Sequence, residues 1–468
     1  MSRSMIYLIA EKRFSKIDIY EQRSTVGGVW NHTPLHHAQT GLSLPRTRPT
    51  SQPEQRMAAA ASAGEAQFMS PMYDLLETNI PYNLMNYTDL DFPADCSLFP
   101  PHKVVLDYLR QYGKELWPHI TFNTQVEDVT KTDGNKPGWK VAYKDLETGQ
   151  NSQDVYDAVV VASGHYSDPF VPNISRIAEF EAAHPGTIIH SKYYRRPDQY
   201  TNKKVIVVGN SASGIDISMQ LATVAHNPIL ISEKEKYAPS NQDGAKTWAR
   251  HVPEITEFIP ESRSVRFADG SVEADIDAVI FCTGFHYSFP FLQSLNPSVV
   301  VEDGSHAAHL WQHMLYTADP TLAFLAIPQR IVPFPIAEAQ SAVIARMWAG
   351  RLQVPDDEEM EAWVRNLTES AGEGKARHVL AFPLDLNYIN LMYGLSMEAA
   401  RGEGLENDGM GKKPRYWNNE KAWIRQRIPY IKVASRALGS RRHEVKTLKQ
   451  LGFDYAAWAA ENEAGVGV

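Results

Sequence analysis

Cysteine is nearly absent: the 468 residues contain two, Cys96 and Cys282. Two thiols without a CxxC spacing exclude a disulfide framework and a thiolate zinc site, and they fit a reducing, cytoplasmic setting. No run of 18 apolar residues occurs, so no segment reads as a membrane-spanning helix. The N-terminus has no signal-peptide pattern, and the expectation is a soluble protein without a membrane anchor. Positive charge is in deficit: 46 Lys and Arg against 55 Asp and Glu give a net charge of −9. No basic stripe suits nucleic acid. Also missing are a Ser/His/Asp set, a metal-ligand cluster and a paired carboxylate. A chain with no nucleophile or metal of its own is consistent with an organic cofactor carrying the reaction.

What is present is a nucleotide motif. Residues 204–218 read KVIVVGNSASGIDIS. A β-branched run stops at Gly209, Gly214 follows five positions later, and an amphipathic segment begins at once. That order predicts strand, tight turn and helix, the arrangement in which small residues and free N–H groups receive a pyrophosphate. Ser211 stands where the usual fingerprint has its second glycine, making the pattern GxSxxG. The ribose-reading position lies about 20 residues beyond the first glycine, within 228–236, PILISEKEK. Ser232 there, followed by Lys234 and Lys236, favours the 2′-phosphate of NADPH over NADH, and Glu233 tempers that preference.

The length admits two large domains. Near the N-terminus, Ile17 to Tyr20 reads as a short strand whose following Glu21 suits the two hydroxyls of a ribose. Counting back from Glu21 reaches MSRSMIYLIAEKR, which reads as a helix and contains no glycine. The expectation is a chain that begins inside its first βαβ unit. Either an N-terminal stretch is missing from the sequence or the site at Glu21 is altered. Next come TVGGVW at 25–30, where Gly27 and Gly28 let a loop approach a cofactor and Trp30 can shield an apolar ring. Residues 35–69 read as a surface insertion. Helical spacing marks 102–112, and 126–129, 139–143 and 155–161 alternate as a small sheet.

With EQRSTVGGVW at 21–30 the chain resembles the flavin-containing monooxygenase family, and the resemblance runs through most of its length. It implies an α/β fold of two Rossmann-like dinucleotide-binding domains: an FAD-binding domain of residues 1–165 and 288–468, and an inserted NADPH-binding domain of residues 166–287. Glu21, Gln22, Gly27, Gly28 and Trp30 would then serve FAD. Asn79, in YDLLETNIP, would lie beside the reactive flavin edge as an amide donor. Gly164 ends the outgoing crossing, VASGHYSDPFVP; Thr283 and Gly284 mark the return. Gly186, His190 and Tyr194 fit the family signature FxGxxxHxxxY, with His184 in place of Phe, and Tyr194 followed by Arg195 points away from the Baeyer–Villiger branch. His190 would shape the NADPH site. Glu338 and Gln340 resemble an ExQ pair in the first turn of a helix starting near Ile336 and aimed at the flavin.

The implied activity is that of an NADPH- and O2-dependent, N,N-dimethylaniline monooxygenase-like enzyme. It would oxygenate small molecules with nucleophilic N or S through a C4a-hydroperoxyflavin. A peroxide-leaking NADPH oxidase or flavin reductase, and an NADP(H)-binding module that has lost FAD, are the rival readings. The substrate and the oligomeric state are not legible in the residues.

Overall fold

The computed structural model describes residues 2–34, 42–57, 68–132, 137–234 and 248–464. Helix α1 (Ser2–Glu11) leads to β1 (Ile19–Tyr20); α2 (Tyr82–Met85) and α3 (His102–Gly113) precede β2 (Ile120–Thr121), which pairs in parallel with β1. An antiparallel meander of β3 (Thr124–Lys131), β4 (Trp139–Asp145) and β5 (Asn151–Tyr156) follows, and then β6 (Val159–Val161). The stretch 155–161 is thus two elements: β5 closes the meander, whereas β6 joins another sheet. Asp157 and Ala158 between them turn the chain from one layer to the next.

The middle of the chain holds α4 (Ile177–Ala183), β7 (Ile188–His190), β8 (Val205–Val208), α5 (Ala212–Leu221), β9 (Ile229–Ser232) and β10 (Ala249–Val252). An antiparallel trio, β11 (Ile255–Ile259), β12 (Ser264–Phe267) and β13 (Val272–Glu273), precedes β14 (Ala278–Phe281). Five of these strands make a parallel sheet in the order β10-β9-β8-β14-β7. Its central strands are runs such as VIVV and AVIF, as expected of strands covered on both faces.

The chain then returns to β6. Strands β15 (Leu310–Trp311), β16 (Leu315–Tyr316) and β17 (Leu322–Phe324) form the sheet β15-β16-β17-β6, with β17 and β6 parallel. Five helices finish the chain: α6 (Pro333–Trp348), α7 (Asp357–Ala371), α8 (Leu384–Met397), α9 (Asn419–Ala437) and α10 (Tyr455–Ala464). Helix α6 begins at Pro333, three residues before the expected start, because proline is at home in a first helical turn where no N–H is needed. Among its buried residues, Ala342 and Ala345 admit Tyr7 and Leu8 of α1 at close range.

An ion pair closes that joint. Glu11 accepts two bonds from Arg351, both 2.7 Å, and the two side chains are 1% and 6% exposed. Residues 42–57 lie at the surface, none of them buried, and are also tied down. Arg46 bonds Asp168 and forms a bridge with Val171, and Glu54 meets Lys192 at 3.0 Å, so this stretch packs against the crossing segment as a cavity wall. Residues 35–41 and 58–67 lie outside the described residues.

Truncating one partner of a buried, bidentate ion pair leaves the other charge uncompensated. Glu11→Ala is therefore expected to destabilise the unit containing α1 and α6 by about 3–5 kcal/mol, read from urea melting. A change below about 1 kcal/mol, the scale of an exposed pair, would contradict this account of the joint.

Candidate functional site

The first half of the site is the turn between β8 and α5. Gly209 has φ +101, and a Cβ there would lie 2.7 Å from the Cys282 carbonyl of the adjoining strand end. At Gly214 a Cβ would lie 1.9 Å from the Gly209 carbonyl. Both glycines are required by packing of strand, helix and return crossing, and that same closeness exposes the first turn of α5. Ser211 is its N-cap residue, with no side-chain capping bond and no acidic residue in the turn behind it. Its N–H groups and dipole are therefore available to an anion, which fits a dinucleotide pyrophosphate.

At the end of β9 the Ser232 hydroxyl is buried and donates to the Pro253 carbonyl at 2.9 Å. Glu233 turns inward to His251 at 2.5 Å. Lys234 stays exposed, 3.6 Å from Glu254. The carboxylate that would repel a 2′-phosphate is thus taken up internally, while the lysine remains at the surface. Lys236 lies outside the described residues.

The second half is a cavity of about 1080 Å3 bordered by Glu21, Gln22, Gly28 and Gly164. Glu21 ends β1, is 4% exposed and accepts the Arg23 N–H at 2.9 Å; burial pushes its pKa up. A carboxylate held at a strand end on a cavity wall suits a ribose diol. Gly27, at φ +116, has Leu106 Cδ1 2.4 Å from where its Cβ would be, and Gly28, at φ +51, faces open space. Trp30 packs edge-on to Phe334, 6.4 Å between ring centres, on the core side of this loop.

Of the residues expected to serve the flavin, Gly27, Trp30, Asn79, Glu338 and Gln340 stand apart from the cavity lining. Glu338 and Gln340 sit in the second turn of α6, correcting their expected place in the first, since the helix starts at Pro333. Both are buried: Glu338 accepts from the Tyr7 hydroxyl and the Thr88 N–H, each 3.2 Å, and Gln340 spans the Ala326 N–H and the Tyr388 hydroxyl, each 2.9 Å. Asn79 is exposed, in the bend after Thr78, whose carbonyl accepts from buried Lys432 at 2.6 Å.

The two crossings between the five-stranded parallel sheet and the sheet β15-β16-β17-β6 are bonded to each other. Phe170 N–H donates to the Gly284 carbonyl at 3.0 Å, and the Thr283 hydroxyl donates to the Phe170 carbonyl. His190 joins them. Its Nδ1 accepts the Lys192 N–H at 3.1 Å, so Nε2 carries the proton and donates to Gly284 at 2.9 Å. Burial holds its pKa down, to about 3. Sequence reasoning passed over Arg46, Glu54 and Lys192. Lys192 is 5% exposed, two places beyond His190, and points at the cavity with Glu54 and the Ser167 carbonyl as partners. Its buried charge has no signal in a one-dimensional pattern; nearness to His190 was the only clue.

A five-stranded parallel sheet and the mixed sheet β15-β16-β17-β6, joined by paired crossings, define a two-domain Rossmann-type protein of the flavin monooxygenase kind. The structure of S-allyl-L-cysteine S-oxygenase from Allium sativum is similar over 99% of this chain and 97% of that one, at 26% identity and a TM-score of 0.74. The flavin-binding monooxygenase-like family model matches residues 60–239 and 247–401, and the chain belongs to that family. Among curated relatives, the flavin-containing monooxygenase iboF of Amanita muscaria is 31% identical over 71% of this chain and 72% of its own length. The thiol-specific monooxygenase of Saccharomyces cerevisiae is 33% identical over 72% of each. No described helix is long and apolar enough to cross a membrane, and no described group of His, Cys, Asp or Glu could hold a metal ion.

Burial keeps four histidines neutral: His190 and His313 fall to about 3, His165 to about 4, and His378 well below 6.5. The unfolded chain takes up these protons near pH 6.5 and the folded one does not. Stability is therefore complete above that pH and falls as pH drops toward 4, by about 1.4 kcal/mol per unit for each histidine. Among the described residues neither nitrogen of His165 has a hydrogen-bond partner. His165→Phe should flatten this dependence by one proton in urea melts at pH 7.5, 6 and 5; an unchanged slope would refute the assignment.

Proposed function

We propose that the protein is an NADPH- and O2-dependent flavoprotein monooxygenase that oxygenates small molecules at a nucleophilic sulfur or nitrogen, sulfur first. The observation that carries this reading is the conjunction of a buried strand-end carboxylate, Glu21, on the wall of a large cavity with an uncapped dinucleotide turn at Gly209 and Gly214, in a member of a flavin-binding monooxygenase family. Sulfur comes first because two similar proteins are named for it, one thiol-specific and one an S-oxygenase.

In this reading residues 1–165 and 288–468 hold FAD and residues 166–287 hold NADPH. A bound flavin would supply the redox chemistry, hydride acceptance from NADPH and activation of O2 for transfer of one oxygen atom. The chain's own residues bind and orient. Glu21 takes the FAD ribose hydroxyls, with Gln22 beside it, and the loop at Gly27 and Gly28 lets backbone approach the cofactor while Trp30 backs that loop. Gly209, Ser211 and Gly214 receive the NADPH pyrophosphate, and Ser232 and Lys234 bound its ribose phosphate. Gly164, Thr283 and Gly284, clamped by His190, carry the two cofactor sites past each other. Asn79 offers an uncharged amide donor, and Glu338 and Gln340 fix α6 beneath the flavin region. Water exclusion by these walls suppresses loss of peroxide. The reaction takes place in the cytoplasm, where both free cysteines remain reduced.

The deciding experiment is the visible absorption spectrum of the purified protein with and without added FAD, followed by mass analysis of thiol and amine substrates after NADPH turnover. Flavin absorbance that stays with the protein and products heavier by one oxygen are expected. NADPH consumption that yields peroxide alone would mark an oxidase, and no flavin at saturating FAD would mark an NADP(H)-binding module. Lys234→Ala should reduce the preference for NADPH over NADH by about tenfold, the loss of one charge-assisted hydrogen bond. An unchanged ratio in steady-state kinetics with both nucleotides would exclude Lys234 from phosphate recognition.

A further inference from the structure

A second cavity, of about 980 Å3, lies among the 301–309 loop, the C-terminal half of α7 and the single-turn stretch Gly374–His378. It shares no lining residue with the first; Arg46 and Thr50 border the first, while Thr47 and Arg48 between them border the second. Arg377 lines this second cavity and is 6% exposed. Its Nη1 donates to the Thr368 hydroxyl at 2.6 Å, and its Nη2 reaches the Val364 carbonyl at 3.4 Å. Both acceptors are neutral groups of α7, and among the described residues Arg377 makes no ion pair. Buried Arg351 has the Glu11 carboxylate, and buried Arg346 has three carbonyls. Arg377 has one hydroxyl and one distant carbonyl, so most of its N–H donors are left over. The carbonyl end of α7 lends it partial negative charge only. A buried cation without a full counter-charge is costly unless a partner supplies one.

The neighbouring groups leave that role open. His306, 7% exposed, borders the same cavity, and its one hydrogen bond joins Nδ1 to the Ser305 hydroxyl at 3.1 Å. With Nδ1 accepting, Nε2 carries the proton and is a further donor. Of the acidic groups on the wall, Glu302 pairs with Arg48 at 2.7 Å, both well exposed, and Asp303 accepts the Ser305 N–H at 2.9 Å. Glu373 is exposed and, among the described residues, makes no ion pair. Lys375, the other cation of the stretch besides Arg377, turns to the crossings, 3.3 Å from the Thr283 carbonyl and 4.1 Å from the Phe170 ring centre. The stretch itself is fixed, since Gln329 N–H donates to the His378 carbonyl at 2.7 Å and Leu380 N–H to the Gln329 carbonyl at 3.0 Å. We propose that this cavity is an anion site that takes the phosphate group of a small organic phosphate. Arg377 holds the oxyanion by its planar fork, with His306 alongside. Phosphate suits the place because the donors come from two segments and a phosphate has oxygens for both. An organic ester suits it because the volume is that of a small-molecule pocket, roughly 300–1,000 Å3, and far exceeds one free ion. The proposal does not rest on the flavin reading, because it uses no residue of the cofactor sites.

The probes are inorganic phosphate and glycerol phosphate, titrated calorimetrically into the 468-residue protein at constant ionic strength, with hydrogen exchange to locate the response. Saturable binding is expected, tighter for the ester, with exchange slowed at 364–368 and 374–378. Arg377→Gln keeps a donor for Thr368 and removes the charge, so affinity for the ester should fall by at least about tenfold. Glu373→Gln removes an unpaired carboxylate from the same wall, and affinity should rise by about threefold. If Arg377→Gln misfolds by circular dichroism, His306→Gln takes its place beside Glu373→Gln, the first expected to weaken binding and the second to strengthen it. Absence of saturable binding overturns the proposal, as do binding unmoved by these substitutions and protection located elsewhere. Binding seen only in the Glu373→Gln protein also overturns it, because the chain's own carboxylate then fills the place. An ester that binds no better than the free ion overturns the assignment to an organic phosphate. NADPH is added in competition: ester that stays bound is expected, and ester displaced by NADPH would make Arg377 part of a nucleotide site and sink a separate one.

Discussion

The pairing of Glu11 with Arg351 holds the first helix of the chain to the end of α6, and much of the architecture is arranged around that joint. Arg351 also donates to the Ala400 and Met410 carbonyls, and neighbouring Arg346 reaches Met410 and Lys412. Two buried guanidinium groups therefore gather α1, α6 and the 400–412 loop. Desolvating two arginines is costly unless nearly all their N–H groups are satisfied, and here one carboxylate and several carbonyls do so. With α1 and α6 fixed together, the floor beneath β1 and β6 is rigid, and the wall positions follow from it.

The strand–turn–helix of β8 and α5 was legible because its signal is local. Strand, glycine and helix start lie within residues 204–218, and steric closeness of Gly214 to Gly209 explains why those residue types stand there. Helix α1 and strand β1 were legible for the same reason. What stayed hidden depends on distant partners. Residues 42–57 look like polar loop in sequence, yet Arg46 and Glu54 find Asp168 and Lys192 more than 100 positions away. The break between β5 and β6 was invisible because Val155 and Tyr156 run on into Val159–Val161 across only two residues, and only the choice of partner strand separates them. Glu338 and Gln340 fit a motif, but the structure commits them to bonds within the core. Helix α8 went unread for the opposite reason: apolar and polar residues are spread around it, so no periodic face announces it.

The C-terminal helices give the chain a second set of long-range ties. On α9, Lys432 bonds the Thr78 carbonyl and Arg436 approaches Asp216 of α5 at 3.5 Å. Tyr73 donates its hydroxyl to the same Asp216, whose pKa burial raises. Helix α5 is thus contacted from the loop before Asn79 and from the far end of the chain. Residues 73–80 are held between these anchors, which gives an exposed asparagine a fixed mount.

His190 has a mechanical meaning as well. The two peptide strands that cross between the sheets are separate in sequence, yet the bonds between Phe170, Thr283 and Gly284 fasten them into a single cord, and the His190 imidazole braces its return half. Two loose tethers would permit sliding and twisting of one half past the other. A fastened pair leaves swivelling about its own length as the soft motion, in the manner of a door on one pin.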